Sequence, residues 1–349
     1  MSFESGKISV RAFHLIKQMP ENLQGAMRSK PVPPDEVVME SPASGWVVQE
    51  DLGGYKRAVL RSVQRKISTV QLKKEVLAEC KAYQQANNVA YVSRKLKNEI
   101  TAGARARLLP LTPVTSRDIE LVWAEGAGVL YASAMSGSQV DLLCNHMALL
   151  QCPILQLDAE NTAMARDQFD CRKVDPAGFT TAVDPVLLFH GFGSEFLTWL
   201  WFRQENYPHT SFGDDALGIL LEGPLTLSRD GAASETTTLK GGAATISTET
   251  KACLLDGKVL VKGRFSFTCQ DQIYQAVVDN GFGFRGLAFS TGEGALDAGS
   301  RFQSRIVAME QWFEMFFGLY ANFIGRRSGA WDGELEKMQL WVSEKKVRG

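Results

Sequence analysis

The 349-residue sequence lacks the features that usually mark membrane, secreted and zinc-binding proteins. No apolar run reaches the roughly 18 to 20 residues that cross a bilayer, and the polar start MSFESGKISV does not resemble a signal peptide. The six cysteines form no CxxC pair, and only four histidines are present, so neither a disulfide framework nor a clustered zinc site is expected. We therefore expect a cytoplasmic protein with no membrane contact, no metal and no other cofactor.

Nucleotide-binding motifs are also missing or lack their context. The chain has no GxxxxGK[ST] loop, which excludes nucleotide hydrolysis of the P-loop kind. Gly281, Gly283 and Gly286 match GxGxxG, but the residues that follow read as strand and loop, whereas a dinucleotide site needs a helix there. We predict that these glycines serve a hairpin turn.

Hydrolase and nuclease motifs are equally incomplete. Ser194 follows His190-Gly-Phe-Gly, which is not GxSxG, and a helix start capped by Ser194 is the simpler interpretation. A metal nuclease needs carboxylates that converge on Mg²⁺, but the adjacent Asp214 and Asp215 would point to opposite faces of a strand. We therefore predict no catalytic residue and a protein that is not an enzyme.

The net charge of −1 conceals a strongly basic segment. Between Lys56 and Arg107 there are 13 Lys and Arg residues against three acidic ones, while the rest of the chain carries 25 basic and 36 acidic residues. The segment also contains regularly spaced apolar residues, so it can fold and hold its charges rigidly. Its candidate phosphate contacts are Arg57, Arg61, Arg65, Lys66, Lys73, Lys74, Arg94, Lys95, Lys97 and Arg105.

A helix that begins after Ser93 and ends before Pro110 carries part of this charge as a stripe. At 100° per residue, Arg94, Lys97 and Arg105 fall within about 80° of one another, and the apolar residues occupy the opposite half. Glu99 is the only acid in this helix, so pairing within the helix cannot explain the charges. A solvated surface helix remains the alternative interpretation.

The coarse pattern predicts an α+β fold with mixed or antiparallel sheets flanked by helices, in two lobes. Residues 1–158 would form an N-terminal lobe with the basic strand and helices, residues 159–183 a connector or insertion, and residues 184–349 a C-terminal lobe. The stretch Phe302 to Phe323 is predicted as a long helix with too much apolar surface for one stripe. It should be deeply buried, or partly buried against another subunit.

The order and spacing of several segments resemble the bacterial RdgC family across nearly the whole chain. These segments are Ile8-Ser-Val-Arg-Ala-Phe, Gly45-Trp46-Val47, Ser93-Arg-Lys-Leu-Lys97, Leu108-Leu109-Pro110, the Trp123 strand, Leu130-Tyr-Ala-Ser133, Glu195-Phe-Leu-Thr-Trp-Leu-Trp201, Thr245-Ile-Ser, Leu255-Asp-Gly-Lys258 and Phe265-Ser-Phe.

The resemblance implies a ring-shaped or horseshoe homodimer that encircles duplex DNA without sequence preference and limits access of the RecA recombinase. It implies association with the nucleoid, and DNA contacts from Arg94, Lys95 and Lys97, with Lys240 in the second lobe. The chain departs from the family after Leu-Leu-Pro, where Leu111-Thr112-Pro113 replaces basic and aromatic residues that help to close the ring. Double-stranded DNA is the expected partner, and single-stranded DNA remains open.

Two other functions compete with this interpretation. The chain could be a DNA exonuclease of the recombination machinery, which magnesium-dependent loss of DNA ends would reveal. It could instead be a protein-interaction module whose basic stripe binds an acidic partner.

Overall fold

The computed structural model describes residues 3–17, 19, 23–181, 191–207, 209–212, 215–229, 235–241, 243–290, 297–344 and 347. The chain forms two compact units. The main unit consists of Met1–Gln18, Asp51–Lys56 and Val122–Gly349, and the hairpin unit of Met19–Glu50 and Arg57–Leu121. These units differ from the lobes expected at 1–158 and 184–349, because β1 (Ile8–Leu15) pairs with β12 (Phe284–Phe289) inside the main unit.

The main unit is built on an antiparallel sheet in the order β5-β1-β12-β11-β10-β8-β7, with β6 also paired to β1 and β9 to β8. Its other strands are β5 (Val129–Ala132), β6 (Ile154–Gln156), β7 (His209–Phe212), β8 (Asp215–Arg229), β9 (Glu235–Leu239), β10 (Val259–Cys269) and β11 (Gln272–Asp279). Its helices are α4 (Gly137–Leu149), α5 (Ala159–Asp167), α6 (Phe192–Asn206), α7 (Thr248–Leu255), α8 (Ala298–Gly329) and α9 (Trp331–Glu344).

Strand β1 has different neighbours along its two edges. One edge pairs with β5, and the other is shared between β12 beside Ile8 and Val10 and β6 beside Phe13 to Leu15. Val10 and Phe13 are fully buried, as expected of a strand with paired edges and covered faces. The chain's first strand therefore lies inside the sheet.

Helices α6 and α8 supply most of the aromatic core of the main unit. Phe196 of α6 packs against Phe316 and Tyr320 of α8 with ring centroids 5.3 and 5.0 Å apart. Trp312 of α8 stacks on Phe267 of β10 at 4.5 Å. Such offset and edge-to-face pairs add to the burial of large apolar surfaces. The long apolar helix predicted at Phe302 to Phe323 is therefore buried within its own unit.

The glycines at 281 and 283 form a hairpin turn, as predicted. They connect β11 to β12, the Asp279 N–H donates to the Gly283 carbonyl at 3.0 Å, and Phe282 takes φ +54°. The next element is a strand, so the GxGxxG spacing has no helix N-terminus to hold a pyrophosphate.

The hairpin unit combines three strands with a pair of long helices. The strands follow the order β2-β3-β4, and they are β2 (Ala43–Leu52), β3 (Tyr55–Arg65) and β4 (Val114–Ala124). The helices are α1 (Leu23–Arg28), α2 (Thr69–Asn87) and α3 (Arg94–Leu111).

The α+β class with a large antiparallel sheet is confirmed, but several local predictions need correction. The sequence predicts that helix α3 ends before Pro110, yet it runs to Leu111. The Thr112 hydroxyl donates to the Leu108 carbonyl at 2.8 Å, which helps to satisfy the last turn. Residues 159–181, predicted as a connector or insertion, contain α5 and contribute Phe179 to the core.

Candidate nucleic-acid interface

The basic segment folds mainly as the hairpin of α2 and α3. Helix α2 ends at Asn87 and is capped by Asn88, whose φ is +51°, and α3 begins where the Ser93 hydroxyl accepts the Leu96 N–H at 3.3 Å. Val76 and Ala104 are among the few buried side chains of these helices. Much of the hairpin surface is therefore left to solvent, as the predicted amphipathic pattern requires.

Six of the residues predicted to bind phosphate are exposed cations without a counterion. Within the part of the chain that the structure describes, none of them has a carboxylate oxygen within 4.0 Å. Uncompensated exposed cations are the groups that neutralise phosphates most readily, because no internal ion pair has to break. They are Lys66, Lys73, Lys74, Arg94, Lys95 and Lys97.

Three other residues of the predicted set are engaged in ion pairs. Arg61 donates from Nε and Nη2 to the two carboxylate oxygens of Asp118, both at 2.7 Å, and this hydrogen bonding raises the pKa of Arg61. Arg57 lies 3.2 Å from Glu50 and 3.7 Å from Glu120, and only 11% of its side chain is exposed. Arg105 pairs with Glu40 at 3.2 Å. These three arginines are therefore paired with carboxylates, unlike the six exposed cations described above.

Arg65 joins several loops within the hairpin unit. Its guanidinium donates to the carbonyls of Asp35 at 2.9 Å and Val38 at 3.1 Å, and also to that of Thr112. These bonds use the fork of donors that would otherwise be available to a phosphate. Arg65 therefore has a structural role here.

Other exposed cations lie outside the set chosen from the sequence, and two of them are close to its members along the chain. Lys81 of α2 and Arg117 of β4 are exposed, and neither forms an ion pair with any residue that the structure describes. Lys81 belongs to the basic segment but was not chosen to bind phosphate, and Arg117 lies ten residues beyond the last member of the segment, Arg107. In the full sequence, the hairpin unit contains 15 Lys and Arg residues and 10 Asp and Glu residues. The main unit contains 23 Lys and Arg residues and 29 Asp and Glu residues.

Lys240 belongs to the main unit, just after β9. It is exposed and, with Arg264, borders a cavity of about 450 Å³ next to Gly223 and Gly241. Glu222 lines the same cavity, so its charge is mixed.

The residues considered for catalysis form no reactive constellation in the described structure. Ser194 is 1% exposed and its hydroxyl accepts a hydrogen bond from Asn280 at 3.0 Å. It does not cap α6, whose N-cap is Gly191, so that prediction was wrong. His190 and Asp214 lie outside the described residues. Among the residues described, no three His, Cys, Asp or Glu side chains are grouped to hold a metal ion.

The chain matches no protein-family model, and no curated protein matches it significantly. Across the described ranges, no helix combines the length and the apolar character that crossing a membrane requires.

Proposed function

We propose that this chain is a sequence-independent DNA-binding protein and that the α2–α3 hairpin is its main phosphate-binding surface. The observation that carries the proposal is a set of six exposed cations that have no counterion among the residues described, namely Lys66, Lys73, Lys74, Arg94, Lys95 and Lys97. Such groups displace condensed counterions from DNA, and this release drives binding regardless of base sequence.

The resemblance to the RdgC family supports a finer proposal. The chain would act as a homodimer that encircles duplex DNA on the nucleoid and limits RecA access, without catalysing a reaction. Burial of α8 within its own unit accounts for its apolar surface, so that helix offers no support for dimerisation. The dimer therefore depends on the resemblance alone.

The phosphate surface is tested by the salt dependence of DNA affinity. We expect the Arg94→Ala, Lys95→Ala, Lys97→Ala triple variant to bind random-sequence duplexes more weakly. Its slope of log affinity against log salt should be smaller by about 0.9 for each phosphate that is no longer neutralised, or nearly 3 in all. The matched control is Arg61→Ala, because the charge of Arg61 is already satisfied by Asp118. Equal slopes for the triple variant and the unaltered chain would remove α3 from the interface.

Encirclement and catalysis are tested with linear and circular duplexes. A ring-forming dimer should sediment at about twice 38.5 kDa, resist salt on circular DNA and slide off linear ends. A monomer that still binds DNA tightly would refute the proposal of a ring-forming dimer. Binding should persist in EDTA, since lysine and arginine bind phosphate without a metal, and magnesium-dependent loss of labelled ends would instead establish a nuclease.

A further inference from the structure

The main unit contains a cavity of about 540 Å³ that has no part in the proposed DNA contact. Its volume lies within the range of small-molecule sites, and its walls combine aromatic rings with charged groups. The residues that matter here are Tyr131 of β5, Glu310, Phe313, Glu314 and Phe317 of α8, and Arg166 of α5.

Tyr131 contributes a polar group to the lining of this cavity. The side chain is only 9% exposed, and its hydroxyl makes no hydrogen bond with any residue that the structure describes. Burial raises the pKa of Tyr131, so the phenol stays neutral and offers one donor and one acceptor. The hydroxyl oxygen keeps some exposed surface, so a molecule in the cavity can hydrogen-bond to it in place of solvent.

The cavity also holds two carboxylates that form no ion pair within the described part of the chain, although Arg166 and His14 line the same cavity. The Tyr55 hydroxyl donates to Glu310 Oε2 at 2.6 Å and fixes that carboxylate, and Glu314 lies one helical turn further along. Neither carboxylate has a cationic group within 4.0 Å among the described residues. Arg166 lies over the ring of Phe317 at 5.0 Å, so its guanidinium is held by an aromatic face.

The aromatic walls of the cavity can contact a cation as well as an apolar group. The rings of Tyr131 and Phe313 lie 4.9 Å apart at 39°, beside the two carboxylates. Aromatic faces and carboxylates attract the same ligands, namely ammonium and guanidinium groups. The lining carries the two carboxylates against Arg166 and His14, and the aromatic faces and carboxylates together favour a cationic ligand over an anionic one.

We propose that this cavity binds an organic cation, a primary amine or guanidinium joined to a flat apolar group. The charged end would pair with Glu310 and Glu314, and the flat group would lie against Tyr131 and Phe313, where the Tyr131 hydroxyl could also hydrogen-bond to the ligand. The site is independent of the DNA-binding proposal, because it uses none of the hairpin cations.

Calorimetric titration of the full chain with three matched probes tests the site. The probes are phenethylamine, its uncharged analogue 2-phenylethanol, and the anion 3-phenylpropionate. We expect measurable binding of phenethylamine and at least tenfold weaker binding of the other two, because only the amine can pair with the carboxylates. Equal affinity for the amine and the alcohol, or no amine binding at millimolar concentration, would overturn the proposal.

Variants assign the binding to this cavity. Glu310→Gln should weaken phenethylamine binding about tenfold or more, and Tyr131→Phe should weaken it while keeping the ring. The control Glu336→Gln makes the same change on the exposed surface of α9 and should leave the affinity unaltered. If Glu310→Gln does not fold, the same measurement is made on Glu314→Gln, because Glu314 is an exposed residue of the cavity lining. Unchanged affinity in the folded Glu310 or Glu314 variant would place the amine elsewhere and refute the site.

Discussion

The buried pair of Arg327 and Glu195 offers a stability test whose size and pH dependence follow from its surroundings. Arg327 Nε lies 3.2 Å from Glu195 Oε2, and the two side chains are 4% and 0% exposed. Arg327 also donates to the Asp175 carbonyl at 2.6 Å, and Glu195 accepts the Ala177 N–H at 2.8 Å. We propose Arg327→Met, which keeps an apolar stem and removes the charge.

The expected loss of unfolding free energy in Arg327→Met depends on whether the Glu195 carboxyl is protonated. Burial raises the pKa of Glu195 to about 7, against the lowering effects of Arg327 and the Ala177 N–H. The folded state therefore binds this proton more tightly than the unfolded state, whose pKa is about 4.3, and the free energy of unfolding falls as pH rises between these values. Arg327→Met removes the main effect that lowers the pKa of Glu195, so this pKa should rise further. The free energy of unfolding of the variant should then keep falling as the pH rises into the alkaline range.

The magnitude follows from the general cost of breaking buried pairs. At about pH 8 the free energy of unfolding of the variant should be lower by about 3–5 kcal/mol, because an unpaired carboxylate must be buried or protonated. At about pH 5 Glu195 is protonated in both proteins, and the loss should shrink to about 1–3 kcal/mol from the missing hydrogen bonds. Adding Glu195→Gln should recover much of the loss at pH 8, since no buried charge then remains.

Urea unfolding followed by tryptophan fluorescence is suited to this measurement. Six of the seven tryptophans, all except Trp46, belong to the main unit, so the signal reports the unit that contains the pair. The reasoning is refuted if Arg327→Met loses the same free energy at both pH values, or if Glu195→Gln brings no recovery in the double variant.

Three further substitutions test the surroundings of α6 and α8. Gly193→Ala should cost about 3 kcal/mol or more and lower the yield of folded protein, because its Cβ would lie 1.9 Å from a backbone carbonyl oxygen. Gly325→Ala, at an open position of α8, should instead stabilise by about 0.5–1 kcal/mol, and equal unfolding midpoints for the two variants would contradict this explanation. Thr198→Val should cost about 1–3 kcal/mol in urea, because the buried Leu260 N–H loses the hydroxyl that accepts it at 3.0 Å. Unaltered hydrogen-exchange protection of the Leu260 amide would refute that assignment.

Local patterns were sufficient for much of the secondary structure. The helical period predicted the helix α3 with its basic stripe, and the apolar stretch Phe302 to Phe323 predicted a long helix that the structure contains within α8. The turn at Gly281 was predicted because the residues after it could not form the helix that a nucleotide site needs. Each of these inferences depends on neighbours within a few positions.

Long-range pairing could not be inferred in the same way. Arg61 looked equivalent to Arg94 in the sequence, but its partner Asp118 is 57 positions away and becomes a neighbour only through the pairing of β3 with β4. The cavity is a stronger case, because Tyr131 and Glu310 lie far apart in the chain and no sequence pattern connects them. Their proximity is a property of the sheet and α8 together.

The position of β1 in the sheet also sets an order of events during synthesis. Its Ile8 and Val10 cannot reach their partners until β12 has been made, near residue 289. At about 5 to 20 residues per second, that delay is roughly a quarter of a minute to a minute. The hairpin unit, complete by residue 121, can close long before then. Until β12 has been made, the part of β1 at Ile8 and Val10 therefore has one edge open to other chains, even after β6 has paired with Phe13 to Leu15.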